Sequence, residues 1–310
     1  MTADSSPVRV AVAGASGMLG TPLARRLATD GHAVLRLVRR APRGADEVRW
    51  DPAAGVVDAA ALEGVDAVVN LAGENVGERW TAERKARIRA SRVDATRLLA
   101  TTLAGLQRKP RVLVNASAVG IYGERGDERL DETSAPGGGF LAEVVRDWEA
   151  AAEPAAAAGI RVVLPRFGVV LSARGGALAK LLTPFRLGAG GPIGGGDQWM
   201  SWISLDDAVA LMELAIHDER LAGPLNAVAG AVTNRQFAHT LAGVLHRPAL
   251  LPVPAFALKL AFGEMAEETI LISQRAEPRA LTQLGYSFIH PELDDAIRAG
   301  LADEGEKKPG

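Results

Sequence analysis

The 310-residue chain contains no cysteine, so disulfides, thiol nucleophiles and thiolate metal ligands are all excluded. It has only two tyrosines, Tyr122 and Tyr286, which leaves tyrosine-dependent chemistry two positions to use. An excess of charge of one sign is also missing: 35 basic residues face 37 acidic ones, without an electrostatic footprint for nucleic acid. The five histidines show no metal-ligand spacing. No apolar run reaches the roughly 20 residues of a membrane span, and the start of the chain, Met1 to Pro7, is short and polar. These absences narrow the expectation to a cytoplasmic enzyme or binding protein for a small molecule, with no metal, nucleic-acid or membrane partner.

What is present is an ordinary globular composition, 48% apolar and 23% charged. The length suits one large core or two domains that share an interface. The first half alternates short β-branched runs (8–12, 33–38, 67–71, 111–116 and 161–167) with longer amphipathic stretches, the pattern of βαβ units on a parallel sheet. Leu19, Leu23 and Leu27 give one buried helical stripe between the first two runs. Residues 81–106 read as one long, basic, solvent-facing helix with Thr81 as N-cap and Glu83 in its first turn. The second half differs. Residues 188–196 are dense in glycine, the pattern from Asp206 is mostly helical with a proline-rich break at 248–254, and the charged tail from Glu304 is expected to fray. The expected fold is α/β: a Rossmann doubly wound parallel sheet over residues 7–170, then a smaller, mostly helical C-terminal substrate domain over 171–303, some of whose segments return to the Rossmann domain.

Gly14-Ala15-Ser16-Gly17-Met18-Leu19-Gly20 stands between the first strand and the first helix, where a dinucleotide fingerprint belongs. Its glycines permit the tight turn, the approach of backbone to a pyrophosphate and close helix–strand packing, and the helix N-terminus offers free N–H groups to the phosphates. The spacing is G-x-x-G-x-x-G. At the end of the second strand, where an acid would bind the ribose 2′-hydroxyl of NAD, the chain has Arg39-Arg40 and no acid before Asp46. A guanidinium pairs with a 2′-phosphate, so NADP is the expected cofactor over NAD.

The fingerprint, Asn70-Leu71-Ala72-Gly73 at the end of the 67–71 run and Asn115-Ala116-Ser117 at the end of the 111–116 run together resemble extended short-chain dehydrogenase/reductases. The likeness is closer to an atypical, NAD-dependent epimerase-like branch, through Glu74-Asn75, Ser117-Ala118-Val119-Gly120-Ile121-Tyr122-Gly123, Trp148-Glu149-Ala150-Ala151, Gly175-Gly176 and Gly190-Gly191-Pro192. It extends over nearly the whole chain, including a C-terminal module at about 274–302. The resemblance implies cofactor contacts at Gly14, Ser16, Gly17, Met18, Leu19, Gly20, Arg39, Leu71, Ala72, Gly73, Arg92 and Val170. Arg92 replaces the asparagine usual in extended members, and a guanidinium beside the nicotinamide end would bind an anion, either cofactor phosphate or substrate carboxylate; the alternative is a surface arginine on a basic helix.

In active members a Tyr-x-x-x-Lys pair on one helix moves the proton, the lysine lowering the phenol pKa. Four residues beyond Tyr122 and Tyr286 stand Gly126 and His290, so the pair is absent; the helix that should carry it reads Phe140-Leu141-Ala142-Glu143-Val144. Ser117 fits the serine that meets the substrate oxygen. Candidate proton donors are Tyr122, beside the pocket in extended members, and Glu74, at a strand's carboxyl end where desolvation could bring it near neutrality. Glu143 and Asp147 lie on the helix that lost the pair. Two functions stay open: an NADP(H)-dependent oxidoreductase or epimerase with a non-standard proton donor, or a protein that senses NADP(H) without turnover. Residues 188–203 are expected to form a mobile loop closing over the nicotinamide end, with Gln198, Trp199 and Trp202 facing the substrate; otherwise both indoles fill the seam between domains.

Overall fold

The computed structural model describes residues 7–249 and 251–302; the polar start of the chain and the tail from Glu304 lie outside the described residues. Its strands are β1 Arg9–Ala13, β2 Ala33–Val38, β3 Glu47–Asp51, β4 Val56–Val57, β5 Ala67–Asn70, β6 Val112–Asn115, β7 Ser117–Ala118, β8 Arg129–Leu130, β9 Arg161–Phe167, β10 Val169–Leu171, β11 Trp199–Ser204, β12 Gly223–Ala227, β13 Gly230–Thr233 and β14 Arg275–Ala276. The helices are α1 Gly20–Thr29, α2 Ala59–Leu62, α3 Ala82–Ala90, α4 Val93–Ala104, α5 Phe140–Ala150, α6 Glu153–Ala157, α7 Gly176–Arg186, α8 Leu205–His217, α9 Asn234–Val244, α10 Ala255–Phe262, α11 Arg279–Leu284 and α12 Leu293–Ala302.

The main sheet runs β4-β3-β2-β1-β5-β6-β9-β12 and is parallel except for the edge pair β3–β4. Alternation along β1 sends Val10 and Val12 into one core with Leu23 and Leu27 of α1 and Met212 of α8. Ala11 and Ala13 enter the other, with Leu99 and Leu103 of α4 and Ala155 of α6. Helices therefore cover both faces, and strand order reverses beside β1, where doubly wound sheets open a ligand crevice at the strands' carboxyl ends.

A second sheet, β10-β11-β13, builds a smaller core around Leu178, Phe185, Phe237 and Ile297. Residues 205–227 return to the main sheet as α8 and β12. Asp207, fully buried at the start of α8, accepts from Ile289 N (2.6 Å) and His290 N (3.1 Å) and so fixes the segment that leads into α12. Glu268, in a single π-helical turn, accepts from Phe140 N (2.9 Å) and Leu141 N (2.7 Å), capping α5 from outside its own sequence. Among the described residues no helix is long and apolar enough to cross a membrane, and no group of three or more His, Asp or Glu could hold a metal.

The single helix expected over 81–106 is two. Thr81 does cap the first, its hydroxyl accepting from Arg84 N, but the chain breaks at Ser91-Arg92. The second, α4, is not solvent-facing: Ala95, Thr96, Leu99, Ala100 and Leu103 are buried, because apolar residues replace the arginines after the break.

Candidate functional site

The glycine loop is shaped from both sides. Gly14 has φ +76°, and a Cβ there would stand 2.9 Å from the carbonyl of Leu71; one at Gly20 would stand 2.1 Å from Gly14 O. The loop therefore closes against the end of β5 and against itself with no room for side chains. Its outer rim, Ser16 and Gly17, is exposed, and α1 begins at Leu19 without a side-chain cap. Met18 reaches Gly176, whose added Cβ would lie 3.6 Å from the Met18 sulfur and 3.8 Å from Val170 O, so these two predicted contacts share one wall. At the end of β2 the two arginines separate. Arg40 forms a fork with Glu47 at 2.5 and 2.6 Å. Arg39 is exposed and has no hydrogen-bond or ion-pair partner among the described residues.

Between β5 and α4 lies a closed neutral network. Asn70 Nδ2 donates to Asn115 Oδ1 (2.7 Å) and Thr96 Oγ1 (3.0 Å), Thr96 donates to Asn115 Oδ1 (3.1 Å), and the Trp148 indole N–H donates to Thr96 (2.9 Å). The network ties the carboxyl ends of two adjacent strands to α4 and α5. Above it, Leu71-Ala72-Gly73 leads to Glu74. That carboxylate is not desolvated as expected. Its side chain is 37% exposed and lies 3.6 Å from Arg87 and 3.9 Å from Arg84, an ion-paired surface setting. Arg92 packs over Gly73, where an added Cβ would stand 3.1 Å from its guanidinium carbon, and 5.3 Å from the Trp148 ring. Burial pushes its pKa down to about 10, opposed by the charge of Glu74.

Ser117 lies in β7, paired with Arg166 of β9. Its hydroxyl donates to Glu149 Oε1 at 2.5 Å. Glu149 in turn takes two 2.8 Å bonds from the Arg166 guanidinium, which also donates to the Tyr122 hydroxyl at 3.0 Å. Although burial works against its charge, the bonds and charge of Glu149 hold the Arg166 pKa above its ordinary value. The Tyr122 hydroxyl donates its hydrogen bond to Asn226 Oδ1 (2.7 Å) or Asp131 O (2.9 Å). Tyr122 is wholly buried, and that burial pushes the phenol pKa up. It is a rivet between β9, β12 and the 129–131 segment, which corrects its expected place as a pocket acid.

Glu149 was not singled out from the sequence. It follows Trp148 on the helix face that already carries buried Ala142 and Val145, and an acid on such a face is the signal that could have found it. Phe140 stacks edge-to-face on Trp80 (5.1 Å) with Lys85 4.4 Å above its ring, and Val144 is fully buried, so neither offers a proton. Glu143 is exposed, and Asp147 is paired with Arg89.

The expected loop over 188–203 ends at residue 198, and Trp199 onward is strand β11. On a strand, residues three apart point to opposite faces. Trp202 is accordingly 2% exposed in the smaller core, where a Cβ added at Gly230 would stand 3.2 Å from its ring, which corrects its expected ligand-facing role. Trp199 donates to Asp127 (2.8 Å) beneath Arg275, and Gln198 donates to Ile193 O (3.3 Å), closing the glycine-rich turn.

Comparison with known proteins agrees with this layout. The sequence profile of the NAD dependent epimerase/dehydratase family matches residues 10–227, and that of a domain of unknown function (DUF1731) matches residues 253–299. The epimerase family protein ML0860 of Mycobacterium leprae is 43% identical, over 96% of this chain and 97% of its own. The crystal structure of human epimerase family protein SDR39U1 with NADPH is 34% identical, with a TM-score of 0.84, over 94% of this chain and 99% of that one. A structure described as a nucleoside-diphosphate sugar epimerase from Corynebacterium glutamicum is 39% identical, with a TM-score of 0.80, and this chain spans 58% of its length. With a family match over more than two thirds of its residues, the protein belongs to the NAD-dependent epimerase/dehydratase family and carries a DUF1731 domain at its C-terminal end.

Proposed function

We propose that this protein binds NADP(H) along the carboxyl edge of its sheet and acts as an oxidoreductase or epimerase on a small hydroxyl-bearing molecule in the cytoplasm. The observation that carries the reading is the contrast at the end of β2: Arg40 is tied to Glu47 while Arg39 is left exposed and unpaired beside the glycine loop. The loop fits a dinucleotide, since its inner side is closed by backbone and its rim at Ser16-Gly17 is open. The NADPH-bound human relative supports the same choice. Bound NADP(H) would supply the hydride donor or acceptor.

The chain's own contribution is proton handling. Because the Ser117 proton is committed to Glu149, the nearly buried hydroxyl has only its lone pairs left with which to meet a substrate. Ser117 accepts a proton from a substrate hydroxyl as its own moves to Glu149, and returns it by the reverse path. Arg166 fixes the Glu149 carboxylate throughout, and this route replaces the missing Tyr-Lys pair. Within an epimerase cycle the carbonyl is reduced again by these steps in reverse, whereas reduction of an added carbonyl has to start with the proton already on Glu149 and is disfavoured. Gly14, Gly17, Gly20 and Leu71 to Gly73 shape the nucleotide's bed. A second reading, NADP(H) sensing without turnover, is favoured by Phe140 and Val144 on the helix where a catalytic pair would stand.

Fluorescence titration of NADPH and NADH against wild type and R39A tests the cofactor. A charge-assisted contact of about 1.5–3 kcal/mol corresponds to roughly 10- to 100-fold tighter NADPH binding, which R39A should abolish. Equal wild-type affinities would remove the NADP preference. Simple ketones and aldehydes should oxidise NADPH poorly, since positioned acid catalysis is worth about 10²–10⁴-fold; brisk turnover with them would overturn the proton direction.

A further inference from the structure

Helix α10 reads Ala255-Phe256-Ala257-Leu258-Lys259-Leu260-Ala261-Phe262, seven apolar residues and one lysine, and none of them is buried. A helix of this composition normally turns an apolar stripe into a core. Here Phe256 is 73% and Leu260 78% exposed, one helical turn apart on the same face. The surface continues beyond the helix, because segments 186–194 and 247–255 run side by side. Arg247 Nε donates to Arg186 O (3.0 Å), a Cβ added at Gly188 would stand 3.9 Å from Pro248, and Ile193 and Val253 form a parallel bridge. Leu187, 77% exposed, and Leu251, 58% exposed, join the same strip.

This exposure is not looseness. Arg79 pins the C-terminal end of α10 through Leu260 O (2.7 Å) and Ala261 O (3.2 Å). Ahead of the helix, Val253 N donates to Pro192 O (2.8 Å) and Gly194 N to Val253 O (2.9 Å). The face is therefore held outward. It also lacks a field of one sign: Lys259 meets Glu267 at 2.9 Å, Lys85 meets Glu264 at 2.7 Å and Arg235 meets Asp197 at 3.6 Å. Paired charges give an anionic membrane or a charged partner little to recognise, and they let two identical surfaces meet without repulsion.

Taking roughly 200 Å² for a large side chain when fully exposed, the four large residues present on the order of 500 Å² of apolar surface, enough to mark an interaction site. Pro248, Pro252, Pro254 and Ala261, all exposed, bring the strip towards the about 800 Å² that each partner gives to a stable dimer.

We propose that this strip is the contact between two copies of the chain, α10 against α10 in antiparallel pairing about a two-fold axis. A two-fold makes each contact twice. Phe256 of one protomer meets the partner's Leu260, its own Leu260 meets the partner's Phe256, and Lys259 faces the partner's Ala257, away from a second cation. The contact needs neither the nucleotide nor the reaction proposed above.

Sedimentation equilibrium at micromolar concentration tests it, on wild type, F256E, L260K and an equimolar mixture of the two variants. Wild type should be a dimer. Each variant sets a charge against an apolar residue of its partner and should self-associate roughly 30-fold or more weakly, as loss of a central interface residue does. In the mixture the two opposite charges face each other while the intact Leu260 and Phe256 meet, so the dimer should return. At dilutions where wild type is monomeric, both variants should melt with it, since the substituted side chains are mostly exposed; an earlier melt makes this face part of the monomer's own packing and overturns the proposal. A monomeric wild type also overturns it, and flotation of that monomer with phosphatidylglycerol vesicles would give the face to a membrane. A dimer that survives both substitutions places the contact elsewhere, and variants that stay monomeric when mixed overturn the antiparallel pairing.

Discussion

A buried and a half-buried arginine show how the same side chain is used in opposite ways within one fold. Arg166, near the end of β9, is met by a two-bond carboxylate and a phenol, and its pKa rises. Arg92, at the start of α4, meets only two weak acceptors, and its pKa falls to about 10. The first is a closed account of charge and hydrogen bonds; the second is open on one side. A cation that touches no carboxylate is retained at a stability cost, whereas the closed pair holds in place the carboxylate to which Ser117 donates.

The largest expected effect comes from opening the closed site. Both partners of the Glu149–Arg166 pair have side chains no more than 12% exposed. Glu149→Leu should therefore destabilise the fold by about 3–5 kcal/mol, the usual cost of stranding one member of a buried pair. Urea denaturation at pH 7 measures it, set beside R92Q, which removes a cation that has no partner to strand. A loss below about 1 kcal/mol in E149L would mean that Arg166 finds water, and the contrast between the two arginines would disappear.

Glu268 is an intermediate case, a carboxylate satisfied by helix N–H groups instead of a cation. Glu268→Ala should cost about 0.5–2 kcal/mol, as loss of a helix cap does, again read by denaturation. Because α5 carries Trp148 and Glu149, the same variant should lower NADPH affinity only slightly. A large loss of binding with little loss of stability would place Glu268 in the cleft itself.

The smallest effect concerns a base that can escape the dilemma by releasing its proton. His217, at the end of α8, packs against His32 at 5.1 Å between ring centres, and its Nε2 is sealed without a partner. Burial, then the neighbouring charges of His32 and Arg111, lower its pKa. The folded state thus favours neutral His217, whereas the unfolded chain takes up a proton near the ordinary histidine pKa of about 6.5. Stability is full above that value, declines as pH falls through it, and stops declining once pH passes below the folded pKa. Melting temperatures from pH 8 to pH 5 should show this decline, and His217→Phe should flatten it. An unchanged slope in the variant would assign the acid sensitivity elsewhere.

Much of this architecture could be read from local pattern. Five β-branched runs became β1, β2, β5, β6 and β9 with ends shifted by at most one residue, and the central strands β1, β5 and β6 are buried on both faces, which needs a continuous apolar run. Strand β3 escaped notice: Glu47–Asp51 alternates with only Val48 and Trp50 buried, too short and too charged to stand out from a loop. Thr81 announced its helix, but the break at Ser91-Arg92 did not announce itself, since both flanks are strong helix formers.

By itself the sequence determined the glycine turn between β1 and α1, the two-sided sheet and the absence of a Tyr-Lys pair, because each depends on residue identity or on spacing along a single element. Only the tertiary structure decided which arginine of the Arg39-Arg40 pair is free and that Trp202 belongs to a core. It also decided that Tyr122 is a rivet, that Glu149 stands behind Ser117 and that no carboxylate of the described residues touches Arg92. These are facts about partners 7 to 104 residues away along the chain, as in Arg40–Glu47 and Tyr122–Asn226. Whether a charge is compensated depends on what the fold carries to within hydrogen-bond reach, and no local pattern encodes that.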